Sequence, residues 1–120
     1  MLIKDFYTIQ NFSFDTNSME ASVLLNPGHP VYKGHFPGRP VVPGVIQIQM
    51  VRELAEEALN QKLFIYEVSS AKYLNMIVPD THSLFIEISY KPLDNGYAFS
   101  GILKNKDLIF SKIKIKTKRF

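Results

Sequence analysis

The chain has 120 residues, 46% of them apolar and 21% charged, with a formal net charge of +3. That length predicts one domain spanning 1–120 with a single core, and the balance excludes a disordered or fibrous chain. The absence of cysteine excludes disulfides, thiolate nucleophiles and cysteine-ligated zinc, and no apolar run reaches the ~18 residues that a membrane span needs.

The opening MLIKDFYTIQ carries Asp5 and Gln10 where a signal peptide would need an apolar stretch, so an uncleaved, cytoplasmic protein is expected. A strand or two should precede the first long loop, with SMEASVLL at 18–25 the clearer, and NPGHP at 26–30 ends it with turn chemistry. A Gly/Pro-rich loop then runs to Pro43. Its prolines, Pro30, Pro37, Pro40 and Pro43, fix φ and make it stiff. From Gly44 the period changes to helical for about 15 residues, with Val45, Ile48, Val51 (or Arg52), Leu54, Ala55 and Ala58 in phase. Four strand-like segments follow at 63–75, 83–91, 97–104 and 108–118, with PLDNG at 92–96 a hairpin turn centred on Asn95-Gly96 and KNKD at 104–107 linking the last two. One long helix and a curled antiparallel sheet pack most economically when the sheet wraps the helix, an α+β architecture.

Residues 101–120 hold seven of the fourteen basic residues, and strand geometry puts Lys112, Lys114, Lys116 and Lys118 on one face with Ile113 and Ile115 on the other. This is either a solvated outer face or one that steers an acidic partner. Only Phe110 and Phe120 flank the lysines, and a nucleic-acid platform needs interleaved aromatics, so no nucleic acid is expected. His29, His35 and His82 lack metal-ligand spacing, so neither metal nor other cofactor is expected.

The chemistry concentrates in GHFPGRPVVPGVIQIQ at 34–49. A stiff loop holds His35 near the start of the helix, where the first N–H groups have no intrahelical acceptor and the dipole is positive. A base of ordinary pKa ~6.5 beside donors for a developing oxyanion suits proton removal next to a carbonyl. The plainer reading is a hydrogen-bonded loop histidine.

His35-Phe36-Pro37-Gly38-Arg39-Pro40-Val41-Val42-Pro43-Gly44-Val45-Ile46 closely resembles the signature of the 3-hydroxyacyl-acyl-carrier-protein dehydratases of the hot-dog fold, the FabZ/FabA type. Ala71-Lys72-Tyr73 through Val78-Pro79-Asp80 is similar to a later strand motif of that family, with Leu74-Asn75 in place of two basic residues. The resemblance implies a hot-dog dimer with a continuous sheet, and active sites at the interface. It implies that His35 removes the α-proton of a 3-hydroxyacyl thioester, that the Gly44 N–H binds the thioester carbonyl, and that the Val41 carbonyl orients the imidazole. Phe36 and Tyr73 would meet the substrate, with Met50 and Met76 either tunnel or plain core. The acyl chain would arrive on an acidic carrier protein, for which Arg39, Lys33 and Lys72 are candidate contacts.

At the family's acidic position stands Gln49, and four residues on, where the family commonly has Gln, stands Glu53. A Gln amide can hydrogen-bond to the leaving β-hydroxyl but cannot protonate it. Glu53 lies ~6 Å further along the same helix face. Three readings follow: a dehydratase working through His35 with help from Gln49 or Glu53; a non-catalytic carrier-binding module or the degenerate subunit of a heterodimer; or an acyl thioesterase.

Overall fold

The computed structural model describes residues 5–34, 40–80 and 82–120. Strands β1 (Tyr7–Phe14) and β2 (Ser18–Leu25) lead through a 3₁₀ turn at Pro30–Gly34 to the helix α1 (Gly44–Leu59), which β3 (Leu63–Tyr73), β4 (Leu84–Leu93), β5 (Gly96–Lys104) and β6 (Ile109–Arg119) follow. The six strands form one antiparallel sheet in the order β1-β2-β4-β5-β6-β3. This is the hot-dog arrangement, α+β, with one helix packed against the sheet.

Alternation builds the inner face. Met19, Ala21 and Val23 on β2, Leu84, Ile86 and Ile88 on β4, Phe99 and Leu103 on β5, and Ile113 and Ile115 on β6 are all buried. The pairings Ile86↔Leu103, Phe99↔Ile115 and Ala21↔Ile86 stack them in register, so a slip of one residue would turn the apolar set outward. Against this face α1 lays Met50, Val51, Leu54 and Ala55, each fully buried. Burying such a side chain contributes about 1.5–3 kcal/mol, and this layer is the core. The helix ends at Asn60, whose N–H still bonds to the Glu56 carbonyl and whose left-handed φ of 52° turns the chain so that the Gln61 N–H reaches the same carbonyl at 3.3 Å. Among the described residues no helix is long and apolar enough to cross a membrane.

Three details differ from the sequence-based expectation, and the first of the one or two strands expected before the loop has a simple position. β1 has only β2 as neighbour and most of its side chains are exposed, so its sequence lacks the periodicity that marks inner strands. Val45 is 63% exposed rather than in the helix's packed face, because it sits in the first turn beyond the sheet's cover. The strand expected to reach residue 75 ends at Tyr73, and the Leu74 and Asn75 amides instead share the Phe110 carbonyl. The hairpin turn is Asp94-Asn95, with Gly96 already paired to Leu93.

Gly96 is therefore required by close approach rather than by the turn. A methyl group built on it would run into the Thr117 carbonyl oxygen of β6. Gly28, by contrast, meets nothing nearer than the Asn26 side chain at 3.4 Å. Gly96→Ala should lose about 2–3 kcal/mol or more in urea denaturation, while Gly28→Ala should stay within roughly 0.5 kcal/mol of the parent.

Candidate functional site

Two fixed ends bracket the loop that carries the motif. Upstream, the Phe6 ring meets His29 edge-on at 5.2 Å and Tyr32 at 5.7 Å, and the His29 Nδ1 accepts the Val31 N–H at 3.1 Å. Downstream, the Val42 N–H donates to the Ile77 carbonyl at 2.8 Å, and the Val42 carbonyl accepts the Gln47 Nε2 at 3.2 Å. The Val42 residue is thus held from both sides, once by the segment between β3 and β4 and once by the first turn of α1. His35, Phe36 and Arg39 lie outside the described residues.

The helix opens as the Gly/Pro pattern suggests. Pro43 is the N-cap in extended geometry and no side chain caps the turn. The Ile46 and Gln47 amides donate to the Pro43 carbonyl at 3.1 Å, which leaves the Gly44 and Val45 amides upstream of the first helical bond. Tyr73, at the end of β3, lies over this opening. A methyl on Gly44 would come within 2.7 Å of both Cζ and Oη of Tyr73. Glycine here is a matter of space, since any side chain would run into the phenol. Tyr73 is half exposed, and partial burial pushes its hydroxyl pKa up.

Gln49 is half-buried, and its Oε1 accepts the Arg52 Nε–H at 2.8 Å. Arg52 in turn pairs its Nη1 with Glu56 Oε1 at 2.9 Å, and Glu56 Oε2 accepts the Leu63 N–H at 2.8 Å. Glu53 faces a different neighbour. It is 5% exposed and accepts the Tyr7 hydroxyl at 3.1 Å. Burial first, then the Glu53 charge and hydrogen bond, push the Tyr7 pKa far above its ordinary value. A buried carboxylate that takes a phenol from β1 is part of the helix-to-sheet packing.

The structure therefore brings Gly44 and Tyr73 together and sets Val41 beside the pinned Val42. Lys33 is exposed at the end of the 3₁₀ turn and Lys72 on β3, where Lys112 of β6 stands directly opposite. Met50 is core and Met76 is exposed. Sequence reasoning missed Gln47, Arg52 and Tyr7. Gln47 could have been found: it is a polar residue one turn before Val51 on the face that packs the core, and it is only 4% exposed. Its Oε1 is buried and has no partner among the described residues.

The family profile described as ApeI dehydratase, ApeI-like, matches residues 10–113. The 3-hydroxyacyl-[acyl-carrier-protein] dehydratase FabZ of Xanthomonas euvesicatoria is 29% identical over 94 residues, 71% of this chain and 61% of the relative. That of Clostridium acetobutylicum is 35% identical over 66 residues, 48% of this chain and 47% of the relative. The chain thus spans about three fifths or less of the length of these curated relatives. Among solved structures, the dehydratase heterocomplex ApeI:P from Xenorhabdus doucetiae aligns with a TM-score of 0.76 at 24% identity, over 93% of this chain and 97% of that one. A putative thioesterase from Lactococcus lactis aligns at 0.69 and 13% identity, over 92% and 91%. These structural likenesses establish the fold.

The Tyr7–Glu53 bond gives a pH dependence whose sign is fixed. The folded phenol keeps its proton where an unfolded tyrosine, with pKa ~10, would ionise. Its contribution is whole below that pH and is lost as pH rises beyond it. Burial also raises Tyr32, to about 12, so that residue adds to the same loss. Tyr7→Phe should cost about 1–3 kcal/mol at neutral pH. The fall in urea-denaturation stability above pH ~10 should be shallower in the variant than in the parent.

Proposed function

The chain belongs to the ApeI-like dehydratase family, and from that premise we propose that it removes water from a 3-hydroxyacyl thioester presented by an acyl carrier protein, as one hot-dog domain over residues 1–120. The observation that carries this reading is the junction of loop, helix and strand at Gly44, where an uncapped helix start lies under Tyr73. The bare Gly44 amide and the helix dipole suit a thioester carbonyl whose oxygen gains charge as the α-proton leaves. His35, carried by the loop that Val42 anchors, takes that proton. The C–O bond at the β-carbon then breaks, the electron pair left by the proton forms the double bond, and the imidazolium returns the proton to the departing hydroxide as water. The Val41 carbonyl orients the imidazole, Phe36 and Tyr73 contact the acyl chain, and Gln49 donates a hydrogen bond to the β-hydroxyl. No cofactor takes part.

The working unit is a dimer. β3 is an edge strand, and Phe64, Tyr66 and Val68 along it are each about half exposed, at 45%, 51% and 45%. An edge with unpaired backbone and apolar side chains invites a second strand, which would make one continuous sheet of two chains. The partner is either a second copy or a related dehydratase subunit. One observation favours the latter: Gln49 offers no acid, so a partner carrying a carboxylate there would complete a site that uses this chain's His35. Lys33, Arg39 and Lys72 supply positive charge for an acidic carrier protein.

Turnover of a 3-hydroxyacyl-carrier-protein by the purified protein, alone and with any co-purifying subunit, tests the reading. His35→Ala should reduce the rate by roughly 10²–10⁴-fold or more. Equal rates in parent and variant would overturn the assignment of His35. Tyr66→Asp combined with Val68→Lys should shift the dimer to monomer in light scattering and abolish turnover with it; a dimer that survives both charges would exclude β3 as the interface.

A further inference from the structure

We propose that Arg52 is a positioning residue that holds the amide oxygen of Gln49 and so fixes the orientation of the amide, making position 49 serve as a hydrogen-bond donor through its NH₂. The inference rests on the dehydratase reading for its use, but the lock itself rests on geometry. Arg52 Nε reaches Gln49 Oε1 at 2.8 Å, and the same guanidinium holds Glu56 at 2.9 Å. Glu56 is tied at its other oxygen to the Leu63 N–H, the first amide of β3, at 2.8 Å. The chain of bonds therefore runs from sheet backbone to carboxylate to guanidinium to amide, and each member has its orientation set by the one before. The Arg52 side chain is only 12% exposed, so water competes weakly for its N–H groups. With the oxygen engaged by Arg52, the Gln49 Nε2 has no acceptor among the described residues and can offer its N–H donors to a bound molecule. An amide so held can bind an oxygen lone pair, such as that of a β-hydroxyl, in one orientation.

The lock also decides what a carboxylate at position 49 would do. It would meet the same guanidinium at hydrogen-bond distance. A neighbouring positive charge favours the ionised form. A carboxyl there would stay deprotonated near neutral pH and fail as the acid. Gln49→Glu alone is thus the wrong repair of the missing proton donor. Removing the charge of Arg52 at the same time takes that cation away from a half-buried carboxyl, which raises its pKa and makes it a usable acid.

Two measurements on the intact protein test this. In NMR spectra of the parent, the Arg52 Nε–H should be protected from exchange and should lose that protection in Gln49→Leu. The carboxyl introduced by Gln49→Glu should titrate at least about one pH unit below the ordinary ~4.3, and should rise above that in Gln49→Glu/Arg52→Gln. Unprotected Nε–H in the parent, or identical titration in the single and double variants, would overturn the lock. Should Arg52→Gln fail to fold, the parent and Gln49→Leu spectra still decide. In dehydration assays Gln49→Glu should gain less than about twofold over the parent, and the double variant roughly tenfold or more over the single. A single variant as fast as the double would also overturn the proposal. If the spectra show the lock and no variant turns over a thioester, the lock stands and the dehydratase reading falls.

Discussion

The site depends on one residue's backbone. Val42 gives its N–H to Ile77 and its carbonyl to Gln47, so the loop's exit, the first turn of the helix and the segment after β3 are tied at a single point. Proline cannot do this by itself. Pro40 and Pro43 narrow the backbone on either side of Val41-Val42, but a stiff segment still needs an anchor to have a place. The anchor is made by a glutamine that gives up nearly all its contact with solvent, and its second polar atom, Oε1, is left without a partner among the described residues. An unsatisfied buried acceptor costs about 1–3 kcal/mol, which a leucine at 47 would avoid. Glutamine there makes sense if holding the Val42 carbonyl matters more to the chain than that loss of stability.

The same logic extends along α1. A helix wrapped by a sheet should be apolar on the wrapped face, and Met50, Val51, Leu54 and Ala55 obey. Yet Gln47 and Glu53 are buried as well, and the side chains of Arg52 and Glu56 are mostly so. Each of them reaches a specific partner in another element or another turn: Val42, Tyr7, Gln49 or Leu63. Polar groups in low dielectric are tolerable only when paired, and once paired they hold direction in a way that apolar contacts do not. The helix thus carries two kinds of contact, an apolar stripe that makes the core and a polar stripe whose paired groups tie it to Val42, β1 and β3.

How much of this was legible in the sequence follows from which interactions are local. The helix, the inner strands and the alternation of lysine with isoleucine on β6 were readable, because period 3.6 and period 2 are written in consecutive residues. The motif from His35 to Ile46 carried the family, since a run of fixed turn residues entering a helix constrains many positions at once. Tyr7 pairing with Glu53, 46 positions apart, was not readable, and neither was Tyr73 over Gly44. Those contacts exist only after the sheet closes. Gly96 is instructive in another way: beside Asn95 it reads as a turn residue, and it is instead a residue small enough to pass β6. Arg52 was read only as an alternative to Val51 in the helical phase, and its bond to Gln49 was not, because at i+3 it looks like an ordinary helix cation.

What the chain leaves uncovered is as ordered as what it buries. Val45 projects from the helix start, Tyr73 ends β3, and Leu74, Met76 and Val78 follow, each at least about half exposed. Gly44 under Tyr73 brings the helix start, and Val45 with it, against the end of the β3 edge strand, while Met76 and Val78 line a cavity with Leu25, Leu84 and Phe85. An apolar area beside an unpaired strand marks an interaction surface. The proposed dimer would cover the apolar groups beside β3. On this view the exchange of an acid for Gln49 is less a defect of one chain than a division of labour. Under the proposed mechanism, a helix that offers a donor and a loop that offers a base to the other side would make a chain that works across an interface.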